Sequence, residues 1–286
     1  MRASNNVEVL GKHEGPADTM NMLLKIAETV LFLIAYFLAS CFITILPVSG
    51  KVRRAMRVRN TSFFSKLALA LLGIRVQVAR GERLHANRGG HLVVSNHLSY
   101  VDVLIISSLV PSVFITSVEL KRTFLLGALA WFGGCLFVER RKPSGLKREI
   151  KDIAHVLGQG FPVVLFPEGT TSNGDRVQQF KKALFDAAAS TSSDIHPFCL
   201  RYTKINGESV TTRNRDAVFY YGGMTFFSHF PRLVSQKSID VHVIPLKAIV
   251  AHADVSRKEL AAQAHDAISA AYQARQEPRS AMLADR

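Results

Sequence analysis

The chain has 286 residues, 48% of them hydrophobic and 20% charged, enough for one large domain with an appendage and too apolar for a mainly disordered chain. Its 36 Lys and Arg against 22 Asp and Glu give +14 at pH 7, which directs it towards polyanions: nucleic acid, an anionic membrane surface or an acidic protein. Cys41, Cys135 and Cys199 are odd in number and far apart, which argues against a disulfide framework or a cysteine-based zinc site and for a reducing compartment.

Residues 1–28 read as a polar N-terminal tail. Residues 29–50 carry no charge, and Val30 to Leu46 is apolar almost throughout. At ~1.5 Å per residue, about 20 residues reach roughly 30 Å, one hydrocarbon thickness, so a membrane helix is expected here. The polar stretch before it and Pro47 after it distinguish it from a secretion signal. Lys51, Arg53, Arg54, Arg57 and Arg59 follow at once, and by the positive-inside rule the main domain faces the cytoplasm, at the inner membrane. Residues 51–73 continue with Phe63, Phe64, Leu67, Leu69, Leu71 and Leu72 and read as a basic, apolar segment at the membrane interface. Each cation there is drawn to anionic head groups by ~1 kcal/mol, which accounts for the basic excess without nucleic acid, for which no binding motif is found.

Residues 74–250 alternate short apolar runs with amphipathic stretches, the pattern of an α/β domain with a mixed sheet flanked by helices. Strands are expected at Ile74–Val78, His91–Ser95, Val113–Thr116, Leu136–Val138, Val163–Phe166, Ile195–Leu200, Val218–Tyr221 and Val241–Ile244. The clearest helix has Leu146, Ile150, Ile153, Ala154 and Leu157 at helical spacing and stops at Gly158. Others are expected at Val101–Leu109, Phe124–Phe132 and Phe180–Ser190. Residues 251–286 read as a C-terminal helix and tail, with Ser256 and Glu259 spaced as a capping box ahead of an alanine-rich helix.

Reactive groups of an α/β scaffold sit on loops at strand ends. Two such loops are unusual: Ser95-Asn96-His97-Leu98-Ser99-Tyr100-Val101-Asp102, and Phe166-Pro167-Glu168-Gly169-Thr170-Thr171-Ser172. A histidine with a carboxylate a few residues on suits general-base catalysis, since imidazole takes a proton near neutral pH and the carboxylate fixes its tautomer. Spacing alone proves nothing, because His13 and Asp18 share it within the polar tail. Five residues turn a regular helix by about 500°, leaving two side chains about 140° apart, so His97 is expected on the loop or the first helical turn. On these residues alone, a general base and a structural histidine capping a helix both stay open.

Four ordered blocks go further: Asn96-His97 with Asp102, GCLFVER from Gly134 to Arg140, FPEGT from Phe166 to Thr170, and IHPFCL from Ile195 to Leu200. Together they resemble the PlsC-type glycerolipid acyltransferase family, which includes 1-acylglycerol-3-phosphate acyltransferases; the likeness covers residues 75–205 well and the flanks loosely. The resemblance implies a membrane-bound O-acyltransferase of phospholipid biosynthesis with no cofactor, and the spacing of the histidines is not that of a metal site. His97 would be the general base for the hydroxyl of a lyso-lipid, 1-acyl-glycerol-3-phosphate first, and Asp102 would orient it. The hydroxyl would attack the thioester of acyl-acyl carrier protein or acyl-CoA directly, which fits the lack of a GxSxG elbow. Asn96, Arg140, Glu168, Gly169, Thr170 and Thr171 would bind the acceptor. Arg140 would meet its head group, while Glu168 would bond a hydroxyl or Arg140, since it repels phosphate.

Members acting on lysophosphatidate usually carry an Arg after FPEGT and a Lys two residues before the Glu-Leu pair that follows the third strand; this chain has Thr171 and Ser117 there. Arg140, Arg141, Lys121 or Arg122 are the available substitutes. FPEGTTSNG followed by Phe180 and Lys181 looks closer to relatives acting on other lyso-lipids, which makes lyso-ornithine lipid the alternative acceptor. A membrane protein that binds lipid without turnover is a second alternative, although it has no need of a general base. The run Arg140, Arg141, Lys142, Lys147, Arg148 and Lys151 reads as a solvated or lipid-facing surface in preference to a carrier-protein dock. Phe219, Tyr220, Tyr221, Phe226, Phe227 and Phe230 read as core packing and a turn in preference to an acyl tunnel.

Overall fold

The computed structural model describes residues 16–79, 89–139, 145–252 and 254–274. His13, Arg140, Arg141 and Lys142 lie outside the described residues. Helix α1 (Pro16–Ile45) takes in the apolar segment and begins earlier, inside the stretch read as a polar tail. The chain breaks at Pro47, which has no N–H to continue the helix, and Ser49 caps α2 (Gly50–Leu71) by accepting from Val52 N.

These helices form an antiparallel hairpin. Phe32 meets Phe64 edge-on at 5.5 Å, Asn60 Nδ2 donates to Ser40 Oγ at 3.1 Å, and Arg57 Nη2 donates to Thr44 Oγ1 at 3.2 Å. The last turn of α1 contains no basic residue, and Arg53 supplies the missing charge, donating Nη2 to the carbonyls of Leu46 at 2.8 Å and Val48 at 3.4 Å. Arg54 donates to Gln159 and lies over Phe161, while Arg57 lies 5.0 Å over the Trp131 ring. Arg53, Arg54 and Arg57, expected to face lipid head groups, are therefore engaged within the fold.

The remaining elements are β1 (Ile74–Val78), β2 (Leu92–Ser95), α3 (Val101–Leu109), β3 (Val113–Ser117), α4 (Val118–Lys121), α5 (Phe124–Phe132), β4 (Leu136–Val138), α6 (Leu146–Gly158), β5 (Val163–Leu165), α7 (Asp186–Thr191), β6 (Ile195–Ile205), β7 (Glu208–Ser209), α8 (Phe226–Val234), β8 (Ile239–Pro245) and α9 (Arg257–Gln273). The sheet has eight strands in the order β1-β8-β6-β2-β5-β3-β4, with β7 beside β6. It is mixed, as expected: β6 runs antiparallel to β7 and β8, and the other pairs are parallel.

Several elements depart from the sequence reading. Residues 218–221 form no strand; a 3-10 turn at Arg215–Ala217 leads into them, and Tyr220 N donates to Leu98 O at 3.0 Å, joining loop to loop. Of the aromatic run read as core and a turn, Phe219 is buried in the core and a turn follows at 222–223, while Phe226, Phe227 and Phe230 lie in α8, which Thr225 caps and which carries Pro231 inside it. The helix expected from Phe180 begins later, as a 3-10 turn at Ala183–Phe185 running into α7.

The connections decide where a site can form. β2 leaves through α3 to β3, beyond β5, while β5 leaves through α7 to β6, beyond β2. Right-handed crossovers running in opposite directions put α3 and α7 on opposite faces. A crevice therefore opens at the carboxyl ends of β2 and β5, where open α/β sheets bind ligands.

Candidate active site

Strand register brings the two unusual loops together. Val94 pairs with Leu165, so the chain leaves β2 and β5 side by side. On the other edge of β2, Ser95 pairs with Phe198, which brings the middle of β6 alongside the same loop.

His97 precedes α3, on the loop where helical geometry required it. Its Nδ1 lies 2.9 Å from Asp102 Oδ2, and the same oxygen accepts from Leu98 N at 2.6 Å and Ser99 N at 2.9 Å. Asp102 thus ties the entry of α3 and the imidazole to one oxygen. Tyr202 Oη donates to the other oxygen, Oδ1, at 2.6 Å. These four donors offset the desolvation of a carboxylate that is fully buried. Because the carboxylate accepts at Nδ1, the proton sits there and Nε2 is the acceptor; Nε2 has no hydrogen-bond partner among the described residues. The ring is 17% exposed and stacks on Phe166 at 4.0 Å.

The second loop holds His97 from three sides. Glu168 Oε1 accepts from His97 N at 2.8 Å, Ser172 N donates to His97 O at 3.0 Å, and Phe166 covers the ring. The other oxygen of Glu168 accepts from Gln178 N at 3.0 Å. Burial pushes the Glu168 carboxyl up to about 7, against the pull of these two N–H groups. Glu168 was expected to bond a hydroxyl or Arg140, which lies outside the described residues; each of its oxygens accepts one backbone N–H. Gly169 has φ +77°, which favours glycine, and the Lys181 side chain runs across it, with Nζ 2.6 Å from where a Cβ would lie. Thr170 is exposed and Thr171 half-buried at the end of this loop.

Asn96, expected on the acceptor, is 1% exposed and turned towards β6. Its Nδ2 donates to Leu200 O at 3.0 Å and its Oδ1 accepts from Leu200 N at 2.8 Å, so the side chain continues the β2 ladder where the main chain leaves it. Arg140 is outside the described residues, but Glu139 N, just before it, donates to Glu149 Oε1 of α6 at 2.5 Å. Ser117, at the position where the resemblance places Lys, caps α4 by accepting from Leu120 N at 3.3 Å. Lys121 Nζ lies 5.6 Å over the Phe137 ring.

Tyr202 escaped the sequence reading. It stands 100 residues beyond Asp102, and a register shift between Tyr202 and Lys204 marks a bulge at this point of β6. The one available clue was general: a buried aspartate needs more donors than its own loop offers.

The Acyltransferase family model matches residues 75–201. The lyso-ornithine lipid O-acyltransferase of Brucella abortus (strain 2308) is 28% identical over 241 residues, covering 81% of this chain and 89% of that protein. The lyso-ornithine lipid O-acyltransferase of Rhizobium meliloti (strain 1021) is 32% identical over 68% of each chain, and the 1-acyl-sn-glycerol-3-phosphate acyltransferase of Neisseria gonorrhoeae is 31% identical over 65% of this chain and 70% of its own. The crystal structure of the 1-acyl-sn-glycerophosphate acyltransferase PlsC from Thermotoga maritima shares the fold, with a TM-score of 0.66 at 18% identity, over 92% of this chain and 98% of that one. The protein is thus an α/β enzyme that transfers acyl groups. It belongs to the Acyltransferase family, as the four sequence blocks implied.

Proposed function

We propose that the enzyme moves a fatty acyl group from acyl-acyl carrier protein or acyl-CoA to the free hydroxyl of a lyso-lipid. The observation that carries this reading is the Nε2 of His97, which has no hydrogen-bond partner among the described residues and is backed by a buried Asp102 with four donors. The hydroxyl proton passes to Nε2 as its oxygen attacks the thioester carbonyl carbon. The new C–O bond replaces the C–S bond, and the imidazolium returns the proton to the leaving thiolate, giving ester and free thiol. Asp102 stabilises the imidazolium while it lasts. Asn96 and Glu168 act as supports of this loop, and the acceptor meets the loop around Gly169, Thr170 and Thr171, with Arg140 following the second block.

Lyso-ornithine lipid is the favoured acceptor. Relatives with that name match 81% and 68% of this chain, and neither Ser117 nor Thr171 offers a cation for a phosphate. Lysophosphatidate is the second reading, supported by the Neisseria gonorrhoeae relative at 31% identity.

The enzyme works at the cytoplasmic face of the inner membrane, with α1 lying in one leaflet. Tyr36, Ser40 and Ile43 face inward, while Leu24, Leu31, Ile34, Leu38, Phe42 and Ile45 form an exposed stripe at helical spacing. Tyr36 Oη donates to Leu129 O of α5 at 3.2 Å, and Lys25 Nζ donates to Val234 O of α8 at 3.1 Å. A helix held along the catalytic domain in this way crosses the bilayer only by drawing α5 and α8 into the hydrocarbon. On α5 and α8, Phe124 at 97% exposure and Phe227 at 81% are further contacts for the same surface.

The test is acyl transfer by the full-length protein, wild type beside His97→Ala, with labelled thioester donor and both lyso-lipids. Loss of proton transfer lowers kcat/KM by roughly 10² to 10⁴, while the lost stack on Phe166 and the lost donor to Asp102 lower the unfolding temperature and leave the protein folded. A folded variant with near wild-type turnover overturns the general-base role.

A further inference from the structure

We infer that Lys181 anchors the anionic group of the acceptor, a phosphate ester or an amino-acid carboxylate, in a subsite it forms with Gly169 beside the His97 loop. This rests on the lyso-lipid acyltransferase reading and names the part of that site that recognises the head group.

The backbone first fixes the lysine in place. Lys181 N donates to Pro167 O at 2.8 Å and Gln178 N donates to Glu168 Oε2 at 3.0 Å, so residues 178–181 are attached to the loop that surrounds His97. The side chain then runs across Gly169. Its Cδ, Cε and Nζ lie 3.1, 2.9 and 2.6 Å from the point a Cβ at Gly169 would occupy. The absent side chain is therefore the channel along which the lysine reaches the site.

Charge gives the subsite its chemistry. Lys181 is exposed, and among the described residues its ammonium has no ion pair and no hydrogen-bond acceptor. The carboxylate closest in sequence to Gly169 is Glu168, which is buried with its oxygens on the N–H groups of His97 and Gln178. A positive charge thus stands over Gly169, in the loop that holds His97, with no counter-charge from Glu168. An ammonium on a flexible stem is a point charge suited to phosphate and carboxylate oxygens alike. Both named lyso-lipids offer such a group, and a neutral glyceride does not.

The experiment uses the full-length enzyme in phosphatidylcholine vesicles. Lys181→Met keeps the stem and removes the charge, Lys181→Arg keeps the charge, and Lys182→Met removes an equal charge from the exposed neighbouring residue. Acceptors are lysophosphatidate, lyso-ornithine lipid and uncharged 1-monoacylglycerol. Lys181→Met raises KM for the anionic acceptor about tenfold, with kcat within about threefold and the donor KM unchanged. Lys181→Arg restores the KM, Lys182→Met leaves it alone, and the monoacylglycerol rate does not respond. Comparison of the two lyso-lipid arms tells phosphate from carboxylate. An unchanged acceptor KM, a raised donor KM, or an equal loss in Lys182→Met overturns the proposal.

Equilibrium binding of each lyso-lipid to His97→Ala, with and without Lys181→Met, reads the same subsite without turnover. Tenfold weaker binding supports it, and equal binding overturns it. Failure of the acyltransfer reading shows separately, as wild-type protein that makes no His97-dependent product from any lyso-lipid.

Discussion

Tyr202 Oη lies 2.6 Å from Asp102 Oδ1, the carboxylate oxygen that does not face His97. Burial, and then the Asp102 charge, hold the phenol far above its ordinary value, so it remains a donor wherever the enzyme works. Tyr202→Phe leaves Oδ1 buried without a donor. The expected outcome is a loss of ~1–3 kcal/mol in unfolding free energy and a roughly tenfold fall in kcat, with acceptor KM within about twofold. Unaltered kcat in a destabilised variant would confine Tyr202 to a packing role.

Asn96 separates support from recognition. Its amide makes two buried bonds to the Leu200 backbone, so Asn96→Ala should cost ~1–3 kcal/mol in denaturant unfolding and leave acceptor KM unchanged. A raised KM in a protein of wild-type stability would return Asn96 to the acceptor site.

Glu168 predicts a pH dependence of stability. Its carboxyl is raised from 4.5 to about 7, chiefly by burial. As pH rises from about 4.5 to 7, the unfolded chain has already lost this proton and the folded protein has not. The unfolded state binds fewer protons there, so stability falls with rising pH, and the loss levels off above about 7. Glu168→Gln has no proton to lose. The unfolding free energy of the wild type minus that of the variant should therefore fall by up to ~3 kcal/mol between pH 5 and 7.5 and then stay flat. A difference that rises over this range would show that the two N–H groups outweigh burial.

The membrane reading concerns sidedness. With Lys25 bonded to Val234 and Tyr36 to Leu129, reporters fused ahead of Pro16 and after α9 should be accessible from the same side of the membrane. Labelling from opposite sides would make α1 a span after all.

What the sequence revealed was local. His97 and Asp102 share a loop of a few residues at a strand end, and the helical angle between them already required His97 to lie outside the helix. The α6 helix and the α9 cap were equally legible, since both are written in consecutive residues. Features made by distant partners were not. Glu168 stood out as a motif residue, yet its use depends on the N–H of His97, across a strand pair formed only by folding. The juxtamembrane arginines looked like lipid ligands because Thr44, Trp131 and Gln159, which engage two of them, are remote in the chain or lie across a turn. α8 was obscured by Pro231 and by an aromatic run that reads equally well as core.

The loop from Phe166 to Ser172 grips His97 by its N–H, its C=O and its ring, and the same loop presents Gly169 to Lys181. On the roles proposed for His97 and Lys181, selectivity and rate are mechanically linked in this enzyme. Any exchange within the loop that reshapes the head-group pocket also displaces the base. Changes of acceptor preference without loss of turnover are open chiefly to side chains that lean on the loop from outside, as Lys181 does.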